Sequence, residues 1–252
     1  MIAEQRYQLI LNIVNQRNSA TVQQLAEALE TSESTIRRDL ISLDQQGKLR
    51  RVHGGAAAID GQFHAEEDDM LTKQSRNMQA KQSIGAYAAG LILPDDFVYI
   101  DAGTTTLELV RALQGDALRA TYVTNGLSHS RLLARKGCRV YVLSGKVKNT
   151  TEAIVGTQAL NRLRRYSFTK AFVGTNGISL EKGYTTSGME EVDVKAQAIR
   201  SSRESWFLAD SSKFGKIYAA VICELGSCPL ITDHLPNPVY REQTTVKETE
   251  KL

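Results

Sequence analysis

The amino-terminal fold is decided by the stretch Thr31-Ser32-Glu33-Ser34-Thr35-Ile36-Arg37-Arg38-Asp39-Leu40. Ser32 suits the position just before a helix, because its hydroxyl can accept a hydrogen bond from the free N–H groups of the first turn. Ile36, Leu40 and Leu43 recur at spacings of four and three, so they share one face. The stretch therefore predicts an amphipathic helix.

The opposite face of this helix carries the groups that bind DNA bases. Ser34 and Arg38 fall opposite the apolar stripe, and Thr35 and Arg37 flank it. An arginine can bond guanine O6 and N7 together, and serine or threonine can bond bases or phosphates. The pattern favours a recognition helix for the major groove, although an ordinary helix with a solvated basic face has the same composition.

A basic segment follows the helix and suggests a β-wing. Gly47 is suited to end the helix, and residues 48–53 then hold three full positive charges and one histidine. These charges suit phosphate contacts, and Gly54 and Gly55 permit a tight turn. We therefore expect Arg50, Arg51 and His53 to contact DNA.

Two further helices precede this stretch and favour the interpretation as a DNA-recognition helix. Residues 3–16 repeat apolar side chains at helical spacing, and Thr21 caps a second helix with the same repeat. Three short helices, a tight second connection and a basic hairpin make a winged helix-turn-helix, which we assign to residues 1–57. The alternative is a small helical bundle with no role in DNA binding.

Composition limits the remaining possibilities. The chain has 252 residues, 42% of them hydrophobic and 23% charged, which gives room for two domains. Its net charge is only +3, so any contact with nucleic acid must be local. Three cysteines match no zinc spacing and favour the reducing cytoplasm. No signal peptide or stretch long enough to span a membrane is evident, so we expect no membrane partner.

A change of pattern marks a second domain. Residues 58–76 show no period and include an acidic run at 66–69, so we assign them to a linker. From residue 77 onward, apolar runs alternate with helical patterns, which indicates a mostly parallel α/β domain over residues 77–252. Strand runs lie at 97–100, 120–123, 139–143, 171–173, 206–209, 219–222 and 230–231, and helices at 104–113, 126–136, 156–165 and 189–202. The tail from Glu242 onward is polar, and we expect it to be frayed.

Polar residues follow five of the predicted strands. Ligands bind outside the carboxyl ends of the strands in open α/β sheets, so we expect one shared pocket there. These exits are Asp101 to Thr106, Thr124 to Gly126, Ser144 to Lys146, Gly174 to Gly177 and Asp210 to Lys213. In the first exit, Gly103 permits close backbone approach and three threonines open a helix, whose free N–H groups favour phosphate. Lys213 can add a cation.

Several other groups have a simpler interpretation. Threonines can cap a helix without a ligand, and Asn125 and Asn176 are common turn residues. Glu190, Glu191 and Lys195 lie one turn apart on a helix, where pairing on the surface is expected. Residues 184–186 form either an edge strand facing the pocket or a loop. No catalytic triad, metal spacing or P-loop is present, so we expect no cofactor, metal or catalytic residue.

Two sets of motifs resemble one family. Residues 34–40 with residues 51–56 resemble the amino-terminal signature of the DeoR family of bacterial transcriptional regulators. The carboxy-terminal sensor of that family is similar to residues 101–106, Thr124-Asn125, residues 174–177 and residues 209–215. The resemblance implies a sensor domain with the fold of ribose-phosphate isomerase. It also implies a repressor of a sugar-metabolism operon that is released from DNA by a phosphorylated sugar.

The resemblance also indicates the partners and the site. The expected partners are double-stranded operator DNA and a phosphorylated sugar, and the expected assembly is a homodimer or homotetramer. The implied effector-binding residues are Asp101, Gly103, Thr104, Thr105, Thr106, Asn125, Asn176, Asp210 and Lys213. The alternatives are a sugar-phosphate isomerase with an accessory helical domain, and a transcriptional activator. The winged helix favours a non-enzymatic regulator, because an isomerase has no use for a helix that reads DNA.

Overall fold

Helical caps define the amino-terminal domain in the computed structural model, which describes residues 2–17, 19–59, 62–64 and 70–251. The predicted acidic run at 66–69 lies outside these residues. Ser32 caps the recognition helix by accepting from the Thr35 N–H at 3.2 Å, and Thr21 and Gln24 form a reciprocal capping box. The elements are α1 (Ala3–Arg17), β1 (Ser19–Thr21), α2 (Val22–Ala28), α3 (Glu33–Gln45), β2 (Arg50–Val52) and β3 (Gly55–Ala57).

A small apolar core holds these elements in a winged helix-turn-helix. Ile36, Leu40 and Leu43 of α3 are fully buried against α1 and α2, as the apolar stripe predicted. The three strands form one antiparallel sheet in the order β1-β3-β2, and β2 with β3 makes the wing. Gly54 at its tip has a φ of 81°, a conformation that glycine adopts without strain.

An ion pair joins the first helix to the recognition helix. Arg6 on α1 forms two hydrogen bonds to the carboxylate of Asp39 on α3, one of them at 3.0 Å. The Asp39 side chain is only 6% exposed. The sequence pattern did not predict this pair, because the helical period shows which face is buried and not which charged residue lies at its margin.

A seven-stranded parallel sheet organises the carboxy-terminal domain. Its order is β17-β16-β13-β10-β5-β6-β7, and every adjacent pair is parallel. The strands are β5 (Phe97–Ile100), β6 (Thr121–Thr124), β7 (Arg139–Val142), β10 (Phe168–Gly174), β13 (Ser202–Leu208), β16 (Leu230–Thr232) and β17 (Val246–Glu248). The helices are α4 (Met70–Ser75), α5 (Met78–Ala89), α6 (Thr104–Ala112), α7 (Leu127–Arg135), α8 (Thr157–Leu163) and α9 (Met189–Arg200).

The sheet divides the core of this domain in two, because successive side chains of a strand point to opposite faces. Tyr99 packs with one apolar cluster, whereas its neighbours Val98 and Ile100 pack with the other. Both faces of the central strands are therefore buried, as their continuous apolar runs predicted. Among the described helices, none combines the length and the apolar character that crossing a membrane requires.

The remaining strands correct three predictions. The apolar run at 219–222 belongs to a separate antiparallel sheet, and residues 184–186 lie in its central strand and not at an edge. The tail is not frayed in its described part, because β17 forms the edge of the main sheet. The smaller pairings use β4 (Gln62–Phe63), β8 (Lys146–Lys148), β9 (Ala153–Val155), β11 (Gly177–Ser179), β12 (Gly183–Thr186), β14 (Lys216–Ile217) and β15 (Ala220–Cys223).

Candidate effector pocket and DNA-binding surface

A cavity opens at the carboxyl ends of β5 and β10. This is the edge at which the strand exits predicted a ligand site. Its lining comes mainly from three strand exits and from helices α6 and α9. The lining residues are Lys73, Ala102, Gly103, Thr104, Thr105, Thr106, Thr151, Gly174, Thr175, Asn176, Glu191, Lys195, Leu208 and Lys213.

A buried ion pair fixes the floor of the pocket. Asp101, directly after β5, pairs with Lys195 of α9, and the two side chains are 1% and 7% exposed. The second Asp101 bond comes from the Gly174 N–H at 3.0 Å, and Lys195 also donates to the Gly174 carbonyl at 3.1 Å. Burial raises the pKa of Asp101 above its ordinary value, and the charge of Lys195 opposes that effect.

Glu191 lies one helical turn before Lys195 and is also buried. Its carboxylate accepts from the Thr151 hydroxyl at 2.7 Å and pairs with Lys148 at 3.1 Å. The expected surface pairing of Glu191 with Lys195 is therefore wrong. Only Glu190 is exposed, and it pairs with Lys146 at 2.9 Å.

One signal in the sequence does mark Glu191 and Lys195 as buried. They fall on the same face of α9 as Val194 and Ala198, which are fully buried. Charged residues inside an apolar stripe have to be paired, and such pairs concentrate at binding sites. The spacing of four alone does not distinguish this case from a solvated pair.

The loop at Gly103 offers an anion site at the start of α6. No side chain of the described residues caps this helix, so the N–H groups of its first turn are left for a ligand. Thr104 and Thr105 line the cavity, and no described residue bonds the Thr105 hydroxyl. Thr106 differs, because its hydroxyl donates to the Asp101 carbonyl at 2.6 Å and lies 3.1 Å from His129 Nε2.

Three lysines surround this helix start. Lys213 lines the cavity and pairs with no described carboxylate at ion-pair distance. Lys73 of α4 also lines it, and the buried Lys81 of α5 donates to the Lys73 carbonyl. Burial lowers the pKa of Lys81 to about 8, and Asp210 opposes that change. The lysines and the helix dipole together favour a ligand group with negative charge.

The other predicted effector residues either line the cavity or lie directly next to it. The Asn125 side chain is buried beneath the loop and accepts from the Ala102 N–H at 2.8 Å. Asn176 lines the cavity and accepts from the Thr186 hydroxyl at 2.8 Å. Asp210 is buried next to the cavity, where it caps the short turn that carries Lys213.

The third predicted strand exit does not reach the cavity. Residues 144–146 follow the edge strand β7 and are exposed, and none of them contributes to the described lining. The expectation of five exits at one pocket is therefore wrong for this exit, and residues 124–126 contribute no lining residue either. The apolar run before it gave no indication that β7 lies at the edge of the sheet.

The recognition helix presents its predicted polar face to solvent. Ser34, Arg37 and Arg38 are exposed, whereas Thr35 is half-buried with its hydroxyl 2.9 Å from the Ser32 hydroxyl. Arg37 is held by Glu33 at 2.8 Å. Arg38 pairs with no described carboxylate, so its guanidinium remains available for DNA.

The wing places its cations on both of its faces. Arg50, Arg51 and His53 are all exposed. Arg50 lines a cleft shared with the carboxy-terminal domain, and His53 lines a second one. Arg51 lies on the opposite face of β2 from Arg50, because side chains alternate along a strand.

A winged helix-turn-helix joined to an α/β domain is the organisation of a two-domain DNA-binding regulator. Residues 6–62 match the model of the DeoR-like helix-turn-helix domain, and residues 76–234 match that of the DeoR C-terminal sensor domain. The chain belongs to the DeoR family of transcriptional regulators.

Similar proteins extend over almost the whole chain. The chain is 39% identical over 250 residues to an uncharacterized HTH-type transcriptional regulator FruR of Bacillus subtilis, which covers 98% of each protein. It is 34% identical to a lactose phosphotransferase system repressor of Staphylococcus epidermidis, over 96% of this chain and 93% of that protein. Ribose 5-phosphate isomerase A of Methanocaldococcus jannaschii is 16% identical over 54% of each chain, with a TM-score of 0.41.

The histidine beneath the anion loop predicts a pH dependence of stability. Burial lowers the pKa of His129 from 6.5 to about 4. Below pH 6.5 the unfolded chain therefore takes up a proton that the folded chain refuses until about pH 4. This difference should remove about 3 kcal/mol of unfolding free energy as the pH falls through that window.

Chemical denaturation between pH 7 and pH 4 measures the effect. We expect His129→Gln to be less stable than the wild type at pH 7 but to lose less stability on acidification. The exposed His53 provides the control, because His53→Gln should keep the wild-type slope. An unchanged slope in His129→Gln would show that another group causes the acid destabilisation.

Proposed function

We propose that this protein represses transcription of a sugar-metabolism operon and leaves its operator when a phosphorylated sugar fills the pocket. In this proposal residues 1–57 bind DNA, residues 58–76 connect the domains and residues 77–252 sense the effector. The protein would act as a homodimer or homotetramer in the cytoplasm, where a symmetric operator suits a symmetric protein.

The main support for a phosphorylated effector is the start of α6, which has no side-chain cap and lies beside Lys213 and Lys73. A helix start with free N–H groups binds phosphate well, and a nearby ammonium adds a charge-assisted hydrogen bond. A phosphoryl group at this end would direct the rest of the ligand toward Lys195 and Glu191.

The opposite end of the pocket suits a polyhydroxylated molecule. Glu191 and Lys195 line the cavity and bring a carboxylate and an ammonium to it, and Asp101 holds Lys195 in place from beneath. Carboxylates accept from hydroxyls and an ammonium donates to them, so a sugar would find both kinds of partner. The relative named as a repressor of the lactose phosphotransferase system supports a sugar-linked effector.

The exposed face of α3 supports operator binding and gives the first test. Arg38→Ala should weaken operator binding by about 1–3 kcal/mol, because a base or phosphate contact is lost. Fluorescence anisotropy with labelled operator DNA measures this. Arg119→Ala, an exposed arginine of the sensor domain, is the matched control and should bind normally. Unchanged affinity of Arg38→Ala would exclude this face as the reading surface.

The anion site gives the second test. Lys213→Ala should weaken effector binding by about 1.5–3 kcal/mol, and Thr105→Ala by about 1 kcal/mol, through lost hydrogen bonds. Neither residue lies in the winged helix, so operator affinity without effector should persist. Thermal shift against a panel of pentose and hexose monophosphates finds the effector, and titration of operator release then compares the variants.

The exposed Lys182 supplies the control for this test, because Lys182→Ala removes an equal charge from the sensor surface. It should release DNA at the wild-type effector concentration. If Lys213→Ala and Thr105→Ala also release DNA at that concentration, the effector binds elsewhere.

An enzymatic role is the alternative, because the pocket contains acidic and basic groups. Both oxygens of Glu191 are engaged, one by Thr151 and one by Lys148, so neither oxygen is free to take a proton from a substrate. We therefore expect no turnover when the purified protein is incubated with the same sugar phosphates. Product in excess of the protein concentration, detected by NMR, would favour an isomerase.

A further inference from the structure

One short segment connects the effector pocket to the DNA-binding domain. Residues 210–217 follow β13 and carry Lys213, whose side chain lines the pocket. The segment begins with the turn Ser211–Lys213, capped by Asp210, and ends with strand β14. The same segment of eight residues therefore lines the pocket through Lys213 on one side and contacts other parts of the protein on the other side.

The first outer contact of the segment is with Asn77, the residue that directly follows the linker and precedes α5. Asn77 Nδ2 donates to Asp210 Oδ1 at 2.8 Å and to the Ser212 hydroxyl at 3.2 Å. Burial disfavours the Asp210 charge, but Lys213, Ser212 and Asn77 together hold the pKa of Asp210 below its ordinary value. The carboxylate is thus stabilised from the pocket by Lys213 and from the start of α5 by Asn77.

The second outer contact is with the linker just after the wing. Strand β14 pairs in parallel with β4, with Lys216 opposite Gln62 and Ile217 opposite Phe63. The His64 N–H donates to the Ile217 carbonyl at 2.8 Å, and its ring stacks on Tyr218 at a centroid distance of 5.5 Å. Only a short connection separates β4 from wing strand β3.

The third contact is with the DNA-binding domain itself. The turn Ser211–Lys213 lies beside α1, the helix that Arg6 and Asp39 tie to the recognition helix. Ser211 shares one cleft with His53 of the wing. Phe214 and Gly215 share the other cleft with Arg50 and Val52.

We propose that residues 210–217 are the coupling element that transmits effector binding to the DNA-binding domain. This inference rests on the proposed function of the pocket. A phosphoryl group draws Lys213 toward α6 and away from Asp210, which changes how the turn is held by Asn77. Because α1 and β4 contact this segment and the wing lines two clefts with it, its displacement alters their position and favours the state that leaves DNA.

The test removes the two hydrogen bonds from Asn77 to the segment and leaves the residues that line the pocket unchanged. Asn77 has a φ of 53°, a left-handed conformation that glycine adopts freely, so Asn77→Gly should fold while losing both hydrogen bonds. The variant should bind the effector as the wild type does. The factor by which effector lowers operator affinity should fall about tenfold, which is within the usual range of coupling.

A second variant and a control make the test specific. His64→Ala removes the ring stacked on Tyr218 and should also reduce coupling, so it carries the test if Asn77→Gly does not fold. Glu152 likewise has a positive φ, of 52°, and a side-chain hydrogen bond to Ser128. Glu152→Gly should therefore match the change at Asn77 but retain full release.

Two measurements on each protein separate the possible failures. The probe is the pentose or hexose monophosphate that most stabilises the wild type, with binding followed by calorimetry and release by anisotropy. If no such compound binds the wild type, the proposed function fails and this inference fails with it. If the wild type, Asn77→Gly and His64→Ala all bind effector and release DNA equally, the effector pocket is supported but residues 210–217 are not the coupling element. Normal effector binding with reduced DNA release in Asn77→Gly and His64→Ala supports the coupling element.

Discussion

Two opposite charges, Asp101 and Lys195, are buried together where β5 and β10 end. Moving both groups out of water costs free energy that their attraction repays only when every other polar partner is supplied. The Gly174 N–H and carbonyl supply those partners, so the pair fixes the exit of β10 against that of β5 and against helix α9. The arrangement of the pocket depends on this constraint.

The pair also separates the pocket into a rigid part and a responsive part. Asp101, Asn125 and Thr106 are bonded internally, which holds the anion loop in place without a ligand. Lys213 lies outside this network on a short turn that contacts the DNA-binding domain. A ligand that binds the rigid loop and attracts Lys213 therefore has a means of acting at a distance.

Local patterns allowed much of this to be predicted. The recognition helix and the edge of the sheet that holds the pocket could be predicted from the sequence. Their signals are the Ser32 cap, the apolar stripe through Ile36 and Leu40, and the strand exits, and each depends only on residues that are close together in the sequence. The pairing of Lys195 with Asp101 and that of Arg6 with Asp39 depend on partners that are distant in the sequence. The edge strand β17 was missed for the same reason, because its short polar sequence becomes a strand only beside β16.

Reciprocal linkage provides the most direct test of the account. If the pocket controls DNA binding, an effector that lowers operator affinity by a given factor must itself bind more weakly to the DNA-bound protein by the same factor. The measurement is calorimetric titration of the best-binding sugar monophosphate into the protein with and without saturating operator DNA. We expect the effector to bind more weakly in the presence of DNA, by the same factor as that by which the effector lowers operator affinity. Equal effector affinity in both titrations would contradict it.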